Sequence, residues 1–160
     1  MEAKAKSFIK IDILMKKNSD IIITPHMGEM ARLLRCDVSM IAENRLIAAE
    51  KYAEKYDITV VLKGAGTVIA SGRSTAVNHT GNAGMSVGGS GDVLAGMIGA
   101  AVAQGCGIFD GACAGVYMHG LAGDTAARKL GMEAMLPRDI ISALPEAFSL
   151  LKEKKKNMTV

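Results

Sequence analysis

The sequence contains no tryptophan, and only 4% of its 160 residues are aromatic. A core without large rings must be assembled from Ile, Leu, Val, Ala and Met, and the 11 methionines supply flexible side chains for irregular gaps. Cysteine is equally sparse. Cys36, Cys106 and Cys113 are odd in number, form no Cys-x-x-Cys pair and have apolar neighbours, so they exclude a disulfide framework and read as reduced, buried thiols of a cytoplasmic protein. No secretory-type apolar region opens the chain, and no apolar run is long and glycine-poor enough to cross a bilayer, so no membrane partner is expected. Also missing are a zinc-type Cys/His spacing, a Gly-x-Ser-x-Gly elbow and the paired carboxylates of a glycosidase.

What is present suits one compact domain over residues 1–160, since an apolar fraction of 49% excludes a largely disordered chain. The formal charge of +3 comes from lysines crowded at the two ends, at Lys4, Lys6, Lys10, Lys16 and Lys17 and at Lys152, Lys154, Lys155 and Lys156. No aromatic residues interleave with them as stacking platforms, so these runs read as solvated termini and no nucleic-acid partner is expected.

The pattern along the chain alternates helix and strand before turning helical. Met1 to Lys17 predicts a short amphipathic helix. Asp20 to Thr24 is an Ile-rich run closed by Pro25, the signature of a buried strand, and Met27 to Leu34 predicts a short helix. Apolar residues recurring from Ile41 to Tyr56 predict one amphipathic helix with Ser39 as its N-cap. Ile58 to Leu62 is a second strand, and Thr67–Ser71 and Ser74–His79 form a hairpin about Gly72-Arg73. A Gly-rich loop then enters a small, apolar helix from Val93 to Gln104, expected to be buried, with Gly96 and Gly99 permitting close backbone approach. Further helices are expected over Asp110–Leu130 and from Pro137 to the lysine-rich end. This order predicts an α/β sandwich with a mostly parallel sheet, although the first half holds too few strands for a complete doubly wound one.

Three polar clusters sit at strand ends or helix starts. Gly88-Gly89-Ser90-Gly91-Asp92 runs straight into a helix, where successive N–H groups and the macrodipole favour an anion. A flexible connector fits the same spacing. No Lys-Ser/Thr pair follows, so it is not a Walker loop, and the Gly spacing is not a Rossmann fingerprint. Asp92 is either a helix cap or a proton acceptor that needs a glycine-lined approach. Thr24-Pro25-His26-Met27-Gly28-Glu29 lies at a strand's carboxyl end, where open α/β sheets place ligands. Lys63-Gly64-Ala65-Gly66-Thr67 lies just past another, and a plain hairpin turn fits it equally. His79 and His119 read as structural.

In this order, TPHMGE, KGAGT and GNAGMSVGGSGDVLAG resemble the NAD(P)H-hydrate dehydratases of the ribokinase-like superfamily, over roughly Ile9 to Leu151. The resemblance implies a ribokinase-like three-layer sandwich and dehydration of the S epimer of NAD(P)H hydrate, with ADP or ATP and Mg2+ as cofactors. It implies that His26 and Asp92 meet the hydrate, that Lys63, Gly64, Ala65, Gly66, Thr67 and Gly91 line the nucleotide, and that Gly88, Gly89, Ser90 and Gly91 form an anion hole. Asp92 would be the catalytic base and Glu29 a metal-arranging carboxylate. It further implies that the amino-terminal part of the family domain, with DAD-like and Gly-rich substrate contacts, lies before the segment represented here, and that the exposed sheet leads the chain to self-associate. A vitamin-precursor kinase of the same superfamily, or an inactive nucleotide-binding fragment, are the alternatives.

Overall fold

In the computed structural model, which describes residues 19–157, strands form where β-branched residues run together. The helix expected over Met1–Lys17 lies outside the described residues. The four strands, β1 (Ile22–Ile23), β2 (Thr59–Leu62), β3 (Thr67–Ala70) and β4 (Thr75–Asn78), form one sheet in sequence order. β1 pairs with β2 in parallel, Ile22 opposite Thr59, whereas β2–β3 and β3–β4 are antiparallel. Among the described residues the sheet is therefore mixed, not mostly parallel. The cause is connection length. Helices lie between β1 and β2 and allow a parallel return, but the short turns at Lys63–Gly66 and Ser71–Ser74 leave no room for a crossover. The second turn is closed by the Ser71 N–H bonding the Ser74 carbonyl at 2.8 Å and by the Ser74 N–H bonding Ser71 Oγ at 3.1 Å.

The two-residue period of the strands divides the core. Val60, Leu62, Val68 and Ala70 pack with Met30, Ile41, Ala49, Tyr52, Ala53 and Tyr56 on one side. Val61 and Ile69 pack with Leu94, Ile98, Ala112 and Val116 on the other. Helices on both faces make the three-layer α/β sandwich that the sequence predicts.

On the first face lie α1 (Met27–Leu34), α2 (Val38–Glu43) and α3 (Arg45–Tyr56). The single helix expected from Ser39 is thus two, broken at Asn44 (φ −134°, ψ 43°), with Asp37 in the N-cap position of the first. Asparagine competes poorly for the helix interior, and the break frees Arg45 for the partners described below. On the second face lie α4 (Ser90–Ala103), α5 (Ile108–Leu130) and α6 (Pro137–Asn157). The expectation for α4 needs two corrections. Among the described residues it buries only the stripe of Ser90, Leu94 and Ile98. The glycines that allow close approach belong to α5 instead. A Cβ on Gly115 would stand 2.6 Å from Ile98 Cγ1 and 2.9 Å from Ile98 Cα, and one on Gly111 2.7 Å from Val102 Cγ2, whereas Gly96 and Gly99 have nothing within 4 Å. Apolarity all round a helix gave no indication of which side meets a neighbour. A third cluster, Met118, Leu121, Ala122 and Ala126 against Met135, Ile140, Ala143 and Ala147, joins α5 to α6.

The cysteines are free, but Cys106 is exposed and Cys36 and Cys113 are only half-buried, which corrects the expectation of buried thiols. Cys106 falls in the connection between α4 and α5, where no core reaches it. No helix among the described residues is long and apolar enough to cross a membrane.

Candidate active site

The parallel register of β1 and β2 brings two of the sequence clusters together. The Lys63 N–H bonds the Pro25 carbonyl at 2.8 Å, and His26 bridges Lys63 in parallel fashion, so both loops emerge side by side at the strands' carboxyl ends. They open into a cleft of about 1000 Å³ whose lining also includes Ser90 and Gly91 from the start of α4. Residues of all three predicted clusters thus share one cavity, but Glu29, Gly88, Gly89 and Asp92 are not among those that line it.

His26 is the N-cap of α1. Its Nδ1 accepts the Glu29 N–H at 3.2 Å, while Glu29 Oε2 accepts the His26 N–H at 2.7 Å. With Nδ1 as acceptor, the proton of the neutral ring sits on Nε2. Gly28 makes room for the ring, since a Cβ there would lie 3.2 Å from His26 Cε1. Glu29 is also 3.5 Å from His26 Nε2 and 3.9 Å from Lys63 Nζ. Its carboxylate is therefore engaged with the cap, the His26 ring and the Lys63 ammonium.

At the other side of the cleft, Gly89 caps α4 with φ 91°, a conformation that suits glycine. The Ser90 N–H bonds the Val87 carbonyl at 3.2 Å and the Asp92 N–H the Gly89 carbonyl at 3.1 Å. Among the described residues no hydrogen bond engages the N–H groups of Gly88, Gly89 or Gly91. Beside them stands a cation, because a Cβ on Gly91 would be 3.3 Å from Lys63 Nζ. Such an arrangement of free helix-start donors and an ammonium can receive a phosphate. Asp92 is exposed, falls on the third residue of α4 rather than at the cap, and accepts no N–H among the described residues. The capping alternative therefore loses its geometry.

The loop after β4, which opens the GNAGMSVGGSGDVLAG motif but was assigned no role, forms a further wall. Thr80 Oγ1 donates to the Tyr117 carbonyl at 2.9 Å, and Asp124 accepts the Gly81 N–H and Asn82 Nδ2, each at 2.9 Å. Asp124 thus clamps a turn in which Gly81 has φ 103°. His79 and His119, read as structural, both line the cleft. His119 is 8% exposed with Nε2 3.4 Å from Ser90 Oγ. Burial pushes its imidazole below the ordinary range, and hydrogen bonding at Ser90 pulls weakly the other way. Arg45 was also missed, because in one helix running from Ser39 it falls inside the helix, and only the break at Asn44 places it in a first turn.

The residues present fit a phosphate-bearing ligand better than a protein-built metal centre. No group of three or more His, Cys, Asp or Glu among the described residues could hold an ion. Magnesium commonly relies on a ligand's phosphates and one or two carboxylates, and Glu29 is a carboxylate 3.9 Å from Lys63 Nζ.

Known proteins resemble the chain in both sequence and fold. The family model described as NAD(P)H-hydrate dehydratase matches residues 3–146. The bifunctional NAD(P)H-hydrate repair enzyme Nnr of Moorella thermoacetica is 43% identical over 143 residues, covering 89% of this chain and 27% of that protein. The ADP-dependent (S)-NAD(P)H-hydrate dehydratase of Neisseria meningitidis is 40% identical over 141 residues, covering 85% of this chain and 48% of that one. Among solved structures, the ADP/ATP-dependent NAD(P)H-hydrate dehydratase of Bacillus subtilis, co-crystallised with ATP and Mg2+, superposes with a TM-score of 0.80 at 29% identity, over 84% of this chain and 49% of that one. The chain spans between about a quarter and a half of the length of these relatives.

Proposed function

Because the chain belongs to the NAD(P)H-hydrate dehydratase family, we propose that its cleft serves the ADP- or ATP-dependent dehydration of the S epimer of NAD(P)H hydrate, a carbon–oxygen lyase reaction that restores the working cofactor. One observation carries the proposal: Lys63 Nζ faces Gly91 at the start of α4 in a cleft that His26 also lines. The Gly88, Gly89 and Gly91 amides receive the transferring phosphoryl oxygens, and Ser90, whose own N–H is taken, contributes through its place in the turn. Lys63 to Thr67 line the adenine nucleotide. Bound nucleotide would supply the phosphoryl group and Mg2+ would neutralise its developing charge, with Glu29 the residue that would help hold the ion. His26 contacts the hydrate through its ring, which the cap holds at the cleft wall.

Asp92 accepts the proton of the hydrate's C6 hydroxyl as that oxygen takes the phosphoryl group. Inorganic phosphate then leaves C6 with the C–O electron pair, pushed by the ring nitrogen's lone pair, and a C5 proton is lost to the departing phosphate or to water, so that the C5–H pair forms the C5–C6 double bond. Phosphate leaves readily and hydroxide does not, which is the chemical reason a dehydratase uses a phosphoryl-transfer site. The enzyme works in the cytoplasm without a nucleic-acid partner. We place the expected association of copies on α2 and α3 rather than on the sheet, because Met40, Leu46 and Ile47 are 43–57% exposed there, whereas Val38 of α2 lines the cleft.

The test is Asp92→Asn, measured in a protein carrying the complete family domain. A base of this kind contributes about 10²–10⁴-fold, so dehydration of NADH hydrate should fall by that factor while ADP affinity and melting temperature hold. Turnover near the parent rate would remove Asp92 from the mechanism.

A further inference from the structure

Arg45 stands at the first position of α3, the end at which the helix dipole disfavours a cation. Among the described residues no carboxylate pairs with it. Its partners are instead two successive backbone carbonyls, with Nη1 donating to Ala65 at 2.5 Å and Nη2 to Gly66 at 2.8 Å. The guanidinium lies against Gly64, where a Cβ would come within 2.9 Å of Nη2 and 3.2 Å of Cζ. Its Nε–H is buried without a partner. A half-buried cation at the wrong helix end, leaving one donor unused, does not serve the stability of α3. What it does serve is the conformation of residues 63–67.

Taking those residues as the nucleotide loop, on which this step rests, we infer that Arg45 is the positioning residue of that loop. A trans peptide sets its C=O and N–H on opposite sides. Drawing the Ala65 carbonyl back toward α3 therefore turns the Gly66 N–H toward the cleft that Gly66 lines. The planar fork fixes two peptide units at once, which a lysine ammonium at the same place cannot do. The positive charge, uncompensated by any described carboxylate, also stands behind the loop and favours an anion in front of it. Arg45 itself is not part of the cleft lining and so acts through the backbone it holds.

Backbone magnetic resonance of the ligand-free chain reads the positioning, and calorimetric titration with ADP reads its consequence. In Arg45→Ala, the amide resonances of 64–66 should shift and their amide nitrogen relaxation should report a more mobile backbone, with β2 and β3 unchanged. ADP should bind about tenfold or more weakly, as expected on losing charge-assisted bonds that hold its loop, with Arg45→Lys intermediate, and millimolar guanidinium should restore part of the affinity to Arg45→Ala but not to Arg45→Lys. Ile140→Val, in the α5–α6 core, controls for general destabilisation and should leave both readouts alone. Unchanged relaxation at 64–66, or a change spread equally over β2, β3 and α3, would overturn the inference. If Arg45→Ala does not fold, the relaxation comparison passes to Arg45→Lys. A parent chain that binds no ADP would remove the nucleotide reading, and the relaxation data would still decide the role of Arg45.

Discussion

Two sets of helical glycines should respond to the same substitution with opposite signs. Gly96 and Gly99 lie on the exposed side of α4 and have nothing within 4 Å of an added Cβ. Alanine there brings only its helix propensity and a less flexible unfolded chain, so each variant should gain roughly 0.5–1 kcal/mol. Gly120 in α5 is buried beneath the Thr80 loop, and a Cβ there would meet Thr80 Oγ1 at 2.2 Å, its carbonyl carbon at 2.6 Å and its oxygen at 2.7 Å. Backbone at that distance cannot rotate aside as a side-chain tip can. Thr80 is also held by its 2.9 Å bond to Tyr117, so the loop must move bodily. Overpacking costs about 1–3 kcal/mol and the strained hydrogen bond about 0.5–1.5 more, against about 1 of propensity gained, so Gly120→Ala should lose roughly 0.5–3.5 kcal/mol. For a chain of this size each kcal/mol moves the melting temperature by about 2–4 °C. Thermal and urea unfolding followed by circular dichroism separate the two outcomes. A Gly120→Ala as stable as the parent, or a Gly96→Ala clearly less stable, would refute the packing assigned to α4 and α5.

His119 gives a pH dependence of definite sign. Burial lowers its folded-state pKa below the ordinary value of about 6.5, so on acidification the unfolded chain takes the proton first, and stability that is complete above about pH 6.5 is lost as pH falls toward the depressed value. His119→Gln should lose less melting temperature than the parent between about pH 6.5 and 5, and parallel curves would contradict the buried neutral imidazole. Sedimentation of the parent at micromolar concentration should show species larger than a monomer. Glutamate at both Met40 and Ile47 should return them to monomer, and a monomeric parent would remove the proposed association.

What the sequence made legible were features carried by neighbouring residues. The bounds of Met27–Leu34 were correct because a polar cap and a left-handed exit at Arg35 (φ 55°) bracket an apolar stripe. The hairpin was legible because Gly72-Arg73 interrupts two β-branched runs. The mixed sheet could also have been anticipated: four-residue turns cannot carry a crossover, so the hairpin excluded a mostly parallel arrangement among these strands. The break at Asn44 was less visible, because the apolar period on either side of it looks continuous and only the distant carbonyls of Ala65 and Gly66 give Arg45 a reason to leave the stripe.

The same distinction explains the site. The glycine-rich loop and the strand-end clusters are local, and residues of all three line the cleft. The groups that hold those loops in place come from elsewhere in the chain: Arg45 reaches 20 residues to Ala65, His119 29 residues to Ser90, and Asp124 43 residues to Gly81. No spacing rule connects such pairs, because their proximity is created by the sheet and the crossing of α4 with α5. Each binds the backbone or side chain of a loop and leaves the chemistry to others. A substitution at Arg45 or Asp124 should therefore alter ligand affinity without removing any group that reacts, whereas one at Asp92 should do the reverse. That division of roles gives the structure's long-range contacts a functional meaning that the motifs alone do not supply.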